Sequence, residues 1–186
     1  MTRDKILRAH GCALLTALLG LSGFVKAASV FEFKVAFADV PGSAHIRAGD
    51  LGLGIRILEQ QLADGVSLHK GEILATLCAA YIVDHSLAKA GPTCDQAVDV
   101  AESETAFNNR GVLRAHLGDL VGARQDFARA RPQDYQQHVE DLKAADVGVM
   151  AESNHTLINE LAARYTPHQV KKSLAANASR ASSPIE

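Results

Sequence analysis

ETAFNNRGVLRAHLGDLVGARQDFARARP, residues 104–132, is the stretch that decides the fold. Apolar and small residues recur in it at helical spacing on both sides of Leu117-Gly118-Asp119, a sequence typical of a tight turn. Gly111 and Ala123 are small where two paired helices need to approach closely, whereas Phe127 can fill the space between neighbouring pairs. The stretch therefore predicts two amphipathic helices that pack as a hairpin.

This hairpin resembles the tetratricopeptide repeat, a family of helix-turn-helix units that recur about every 34 residues. The resemblance rests on the repeat-packing residues Phe107, Gly111, Gly118, Leu120, Ala123, Phe127 and Ala130. One position departs from the family pattern, because Arg114 stands where a tyrosine is usual. The resemblance implies an all-α fold, an α-α superhelix of stacked hairpins with a concave face that binds a peptide or a helix of a partner.

Two earlier stretches fit the same pattern. Residues 71–103 place five residues on it: Leu77, Tyr81, Leu87, Ala90 and Ala97. Within this hairpin, Pro92 is expected to delay or kink the second helix. Residues 48–65 open with a Gly-Asp-Leu that echoes residues 118–120, and they predict the second half of a repeat. The sequence thus predicts about two and a half hairpins, followed by capping helices, one near 132–142 and one ending near Tyr165.

The chain ends differ in composition from this helical part. Residues 1–27 resemble a secretory signal peptide, with a basic start, an apolar run of about 14 residues and cleavage near Ala27 or Ala28. A membrane-spanning helix needs roughly 20 apolar residues, so an anchor is the weaker alternative. Residues 28–47 are predicted to be an irregular arm that lies on the helices, 48–165 the helical domain, and 166–186 a flexible tail.

The charge balance bears on the class of partner. Removing residues 1–27 takes away four basic side chains and one acidic one, so the net charge moves from −2 to near −5. A mildly acidic chain without a basic patch offers nothing to phosphate backbones, which argues against nucleic-acid binding. The sequence therefore predicts a periplasmic or secreted protein with a protein partner and no membrane span in the mature chain.

Two cysteines remain after the signal. In the repeat register, Cys78 takes the place of Gly111 and Cys94 that of Phe127, and the two face each other across one hairpin. In an exported protein this predicts a disulfide that closes a loop of about 15 residues. Two buried free thiols that pack as small hydrophobes are the alternative.

No catalytic or metal-binding motif stands out. The histidines are scattered without a metal-ligand spacing, and Gly49, Gly52 and Gly54 lack the lysine and the preceding strand of a phosphate-binding loop. No Gly-x-Ser-x-Gly turn is present. The sequence therefore predicts no catalytic residue, no metal and no cofactor.

The predicted function depends on the repeat resemblance. It implies a non-catalytic scaffold of the bacterial cell envelope, and the candidate partner-binding residues of the concave face are Thr105, Asn108, Asn109, Val112 and His116. Asparagines there resemble those with which family members hold a ligand's backbone, although local bonding at a helix start would also explain them. A self-associating structural subunit or homo-oligomer is the alternative, and an envelope enzyme is a weaker one.

Overall fold

The computed structural model describes residues 32–65, 68–131 and 147–181, with side chains in the last helix as far as residue 176. Within these ranges all regular secondary structure is α-helical. Its helices are α1 (Ser43–Arg47), α2 (Leu51–Ala63), α3 (Lys70–Val83), α4 (Leu87–Val100), α5 (Glu104–Leu117), α6 (Leu120–Arg129), α7 (Val147–Arg164) and α8 (Pro167–Ala181). The predicted signal peptide at 1–27 and the predicted capping helix near 132–142 lie outside the described residues.

Side-chain caps mark the helix starts that follow the Gly-Asp and Glu-Ser sequences. Asp50, Ser103 and Asp119 each accept a hydrogen bond from the amide three residues further on. Such caps satisfy main-chain donors that a helix cannot satisfy itself. At the other end of α5, Gly118 ends the helix with a positive φ of 87°, a conformation that glycine adopts without steric cost. The turn between α5 and α6 is therefore encoded directly in the sequence.

Helix α3 is the centre of the core. It packs against α2, α4 and α5, and nearly all of its residues from Gly71 to Ile82 are buried. A helix that is apolar on every side has to be enclosed by other elements. The disulfide partner Cys78 lies on this helix, opposite Cys94 on α4.

Two helix pairs repeat the same contact at an offset of 33 residues. Cys78 and Cys94 form a disulfide with a Cα–Cα distance of 4.9 Å, and both are fully buried. Gly111 and Phe127 hold the corresponding positions, and a Cβ built on Gly111 would lie 2.7 Å from the Phe127 ring. The ring thus needs a glycine opposite it. The pair α3 and α4 is joined by a disulfide, whereas α5 and α6 are held at the same place by the Phe127 ring packed on Gly111.

We expect loss of the Cys78–Cys94 disulfide to lower the free energy of unfolding by about 3 kcal/mol, because the unfolded chain gains the freedom of the opened loop. Urea denaturation with and without a thiol reductant measures this difference. A Cys78→Ala, Cys94→Ala double variant serves as the control and should be insensitive to the reductant. Equal stability of the wild-type protein under both conditions would contradict the expectation.

The second pair, α5 with α6, also carries a buried ion cluster. The Asp126 side chain is 2% exposed and accepts two hydrogen bonds from Arg110, each 2.9 Å long. Arg114 Nη1 lies 2.8 Å from Oδ2 of the same carboxylate. The hydrogen bonds with Asp126 raise the pKa of Arg110 above its usual range. Arg114, which departs from the repeat pattern, is therefore one of two cations around a single buried carboxylate.

The structure differs from the sequence predictions in three places. Pro92 neither delays nor divides α4, which begins at Leu87 and continues through the proline to Val100. Within the predicted irregular arm, residues 43–47 form the short helix α1. The predicted flexible tail contains α8, which packs on α5 and buries Val170 and Leu174. Two apolar residues four positions apart are enough to fix one face of a helix.

No helix in the described part of the chain is both long and apolar enough to cross a membrane.

Candidate partner-binding groove

The face on which the sequence predicts a partner carries residues 32–40 of the same chain, here called the arm. The arm contacts α3, α5 and α7 through main-chain hydrogen bonds to four side chains, and these form the amide row: Thr76, Asn108, Asn109 and Asn154. All four are buried, with at most 1% of each exposed. The asparagines predicted to bind a partner, Asn108 and Asn109, therefore bind the main chain of the arm in this structure.

Asn109 lies at the middle of the row. Its Oδ1 accepts the Ala36 amide at 2.8 Å, and its Nδ2 donates to the Ala36 carbonyl at 2.8 Å and to the Ala75 carbonyl at 2.9 Å. One side chain thus satisfies both main-chain groups of Ala36. It also ties the arm to α3 and α5 together.

Asn154 makes the same two-bond contact with Lys34. Its Oδ1 accepts the Lys34 amide at 2.9 Å, and its Nδ2 donates to the Lys34 carbonyl at 2.8 Å. Asn108 donates to the same carbonyl at 3.0 Å and accepts from Asn154 at 3.0 Å. The two amides therefore orient each other, which fixes the row across α5 and α7.

The spacing of these bonds gives the arm its conformation. The amides of Lys34, Ala36 and Ala38 all bond to the row, the last to Thr76 at 3.1 Å. In an extended strand, successive residues point their N–H and C=O groups to opposite edges. Hydrogen bonds from every second residue to the same row therefore indicate that the arm is extended. The main-chain groups of Phe33, Val35 and Phe37 therefore face away from the row.

Side chains of the arm add apolar contacts to the main-chain bonds. The Phe33 ring stacks on Phe127 with a centroid distance of 5.9 Å and an interplanar angle of 18°. Ala36 is 1% exposed, and Val40 joins the same buried core. The groove thus accepts an aromatic ring at one position and only a small side chain three residues later.

Comparison with known proteins gives no relative for this arrangement. No protein-family model matches the chain, and neither a curated protein nor a solved structure matches it.

The remaining predicted site residues have separate places. Val112 and His116 line an open cleft beside the arm, whereas Thr105 lies half-buried at the start of α5, one helical turn before Asn108 and Asn109, and does not line the cleft. Sequence reasoning missed Thr76 and Asn154. Thr76 stands 33 residues before Asn109, so the repeat register already places it at the equivalent position. Asn154 interrupts a buried apolar stripe on α7, a position where a polar side chain needs a partner.

The cleft has a volume of about 570 Å³ and lies beside the first half of the arm. The arm contributes residues 32–35, and the helices contribute a largely apolar wall of Ile82, Val83, Val112 and Met150 together with His85 and His116. Burial, and next the nearby His85, lowers the pKa of His116 below its usual 6.5. The helices therefore give the cleft a largely apolar wall in which burial favours the neutral imidazole of His116, while the arm adds the charged Glu32 and Lys34.

The described residues contain no group of three or more side chains that could hold a metal ion. The chemistry that the groove offers is main-chain hydrogen bonding and apolar contact. Both are means of binding an extended segment of protein.

We expect the free energy of unfolding to fall as the pH drops below about 6.5. Since burial lowers the pKa of His116 in the folded chain, this side chain takes up a proton more readily when the chain is unfolded. This contribution is fully present above the unfolded pKa and is lost as the pH falls toward the lower folded value. His155, whose pKa burial also lowers, acts with the same sign. His116→Gln should therefore reduce the pH dependence without abolishing it, as measured by urea denaturation near pH 7 and near pH 5. An unchanged pH dependence would contradict the assignment.

Proposed function

We propose that this chain is a non-catalytic interaction scaffold of the bacterial cell envelope, and that it binds an extended segment of a partner protein on the concave face of tetratricopeptide-like hairpins. The observation that carries the proposal is the amide row. Asn108, Asn109 and Asn154 bind an extended backbone through its N–H and C=O groups, which every sequence possesses. A face built in this way recognises protein main chain.

Two further observations support the repeat architecture and the compartment. The Cys78–Cys94 and Gly111–Phe127 contacts recur at an offset of 33 residues, close to the period of the family. A buried disulfide between paired helices persists in an oxidising compartment, such as the periplasm or the exterior of the cell. Both features favour an exported repeat protein.

Site-specific photocrosslinking tests the proposal. A benzoyl-phenylalanine in place of Val83, which is 45% exposed at the cleft, reports on the concave face. The same group in place of Val121, which is 61% exposed on α6, is the matched control. In envelope extract we expect a discrete adduct from position 83 and none from position 121.

The size and origin of the adduct separate the alternatives. An adduct of twice the chain's mass, found with purified protein alone, identifies the self-associating subunit instead. Equal labelling from both positions, or no adduct from position 83, contradicts a partner-binding concave face.

A further inference from the structure

The arm leaves one of its own edges without hydrogen-bond partners. In the described part of the chain, Phe33, Val35 and Phe37 make no main-chain hydrogen bond, whereas Lys34, Ala36 and Ala38 all bond to the amide row. The arm is thus hydrogen-bonded along one edge, and the main-chain groups along its other edge, here called the free edge, are unpaired. The outermost strand of a sheet has the same arrangement. Such an edge is a template for a second strand.

The free edge lies against the open cleft. Val112 is one helical turn beyond Asn108 on α5, and Met150 is one turn from Asn154 on α7, on the same side of the arm. Phe33 and Val35 themselves line the cleft. The two residues that bring two unpaired donors and two unpaired acceptors to the free edge therefore also line the cleft.

The dimensions of the groove fit a second strand. One turn of a helix advances about 5.4 Å, and neighbouring strands lie about 4.8 Å apart. On α5 and α7, the next turn past the amide row is thus at the right distance to lie beneath a second strand. That turn carries Val112 and Met150, with Ile82 beside them, where the first turn carries amides. The helix surface beneath the second strand is apolar, and that strand can form its main-chain hydrogen bonds with the arm instead of with the helices.

We propose that the partner segment adds to the free edge of the arm as a second strand in this cleft, and that the arm stays in place. The ligand is an extended segment whose alternate side chains are apolar and contact Ile82, Val112 and Met150. This inference rests on the proposed function, since it specifies how the concave face takes its partner. Displacement of the arm is the opposing mechanism, and it requires a ligand that replaces Phe33, Ala36 and every bond to the amide row.

A proline scan of the full-length protein tests the inference. The probe is a fluorescein-labelled peptide of about eight alternating valines and threonines, followed by fluorescence anisotropy. Val35→Pro removes the amide that faces the cleft, while an extended Lys34 tolerates a following proline. We expect the affinity to fall at least about tenfold in Val35→Pro and to change less than about threefold in the control Val35→Ala. Equal affinities of the two variants would overturn the proposal, as would the absence of binding to the unaltered protein.

A second measurement needs no change to the protein. N-methylation of the peptide amides on one edge should abolish binding, and N-methylation on the other edge should leave it intact, because only one edge pairs with the arm. Equal effects of the two methylation patterns overturn the proposal. So does tighter binding to Ala36→Glu, a variant that expels the arm, since that result identifies displacement. If these peptide tests fail while the adduct at position 83 persists, the scaffold function stands and the strand mechanism falls.

Discussion

Replacing Asn109 by alanine will lower the free energy of unfolding by about 3 kcal/mol. The variant removes three hydrogen bonds to main-chain groups and leaves both the N–H and the C=O of Ala36 without a partner in a site that is 1% exposed. An unsatisfied buried main-chain group costs about 1–3 kcal/mol, which is more than the net worth of the bond itself. The arm can limit this loss by leaving the groove, but it then exposes Phe33 and Val40. Urea denaturation measures the difference.

Asn159→Ala is the matched control. Asn159 lies on the exposed face of α7, and its side-chain Nδ2 lies 3.4 Å from Nδ1 of His155. Surface substitutions of this kind change stability by about 0.5 kcal/mol or less. Similar losses in Asn109→Ala and Asn159→Ala would show that the amide row does not hold the arm.

The second large effect is expected at the ion cluster. Asp126→Asn keeps the shape of the side chain and removes its charge, so that Arg110 and Arg114 lose their buried counter-ion and keep only the exposed carboxylates of Asp95 and Asp119. Removing one partner of a buried ion pair typically costs about 3–5 kcal/mol. We expect a loss in that range, measured by urea denaturation at neutral pH.

The chain supplies a control on the same cation. Asp95 lies 3.6 Å from Arg110, but its side chain is 65% exposed. Solvent screens such a pair, and Asp95→Asn should therefore cost no more than about 1 kcal/mol. Equal losses in the two variants would mean that the cluster is not the buried contact between α5 and α6.

The local features of the fold were predictable because short sequence patterns encode them. Glycine followed by a capping aspartate marks the turn at Gly118-Asp119. Helical spacing predicts which residues face each other, namely Gly111 with Phe127 and Cys78 with Cys94. The α8 helix was also encoded, although the composition of residues 166–186 predicts a tail. Thr166 and Gln169 exchange hydrogen bonds as a capping box around Pro167 at the first helical position. That signal outweighs the alanine-rich composition of the residues after it.

The sequence predicts an arm that lies on the helices, but it does not predict that this arm occupies the groove. The bonds of the arm join residues 73 and 120 positions apart, and no local pattern links Ala36 to Asn109 or Lys34 to Asn154. The arm has only weak strand periodicity, because its partners are side chains on helices. Its extended conformation is fixed by tertiary contacts. The repeat register predicted Asn108 and Asn109 as partner-binding residues, and in the structure they bind the chain's own arm.

Amide hydrogen exchange along the arm, followed by NMR, is the most direct test of the central claim. If the amide row holds an extended arm, the amides of Lys34, Ala36 and Ala38 will exchange slowly, and those of Val35 and Phe37 will exchange fast. This alternation arises only when one edge is bonded and the other is open. Uniformly fast exchange from residue 33 to residue 39 would contradict the docked arm, and uniformly slow exchange would contradict its free edge.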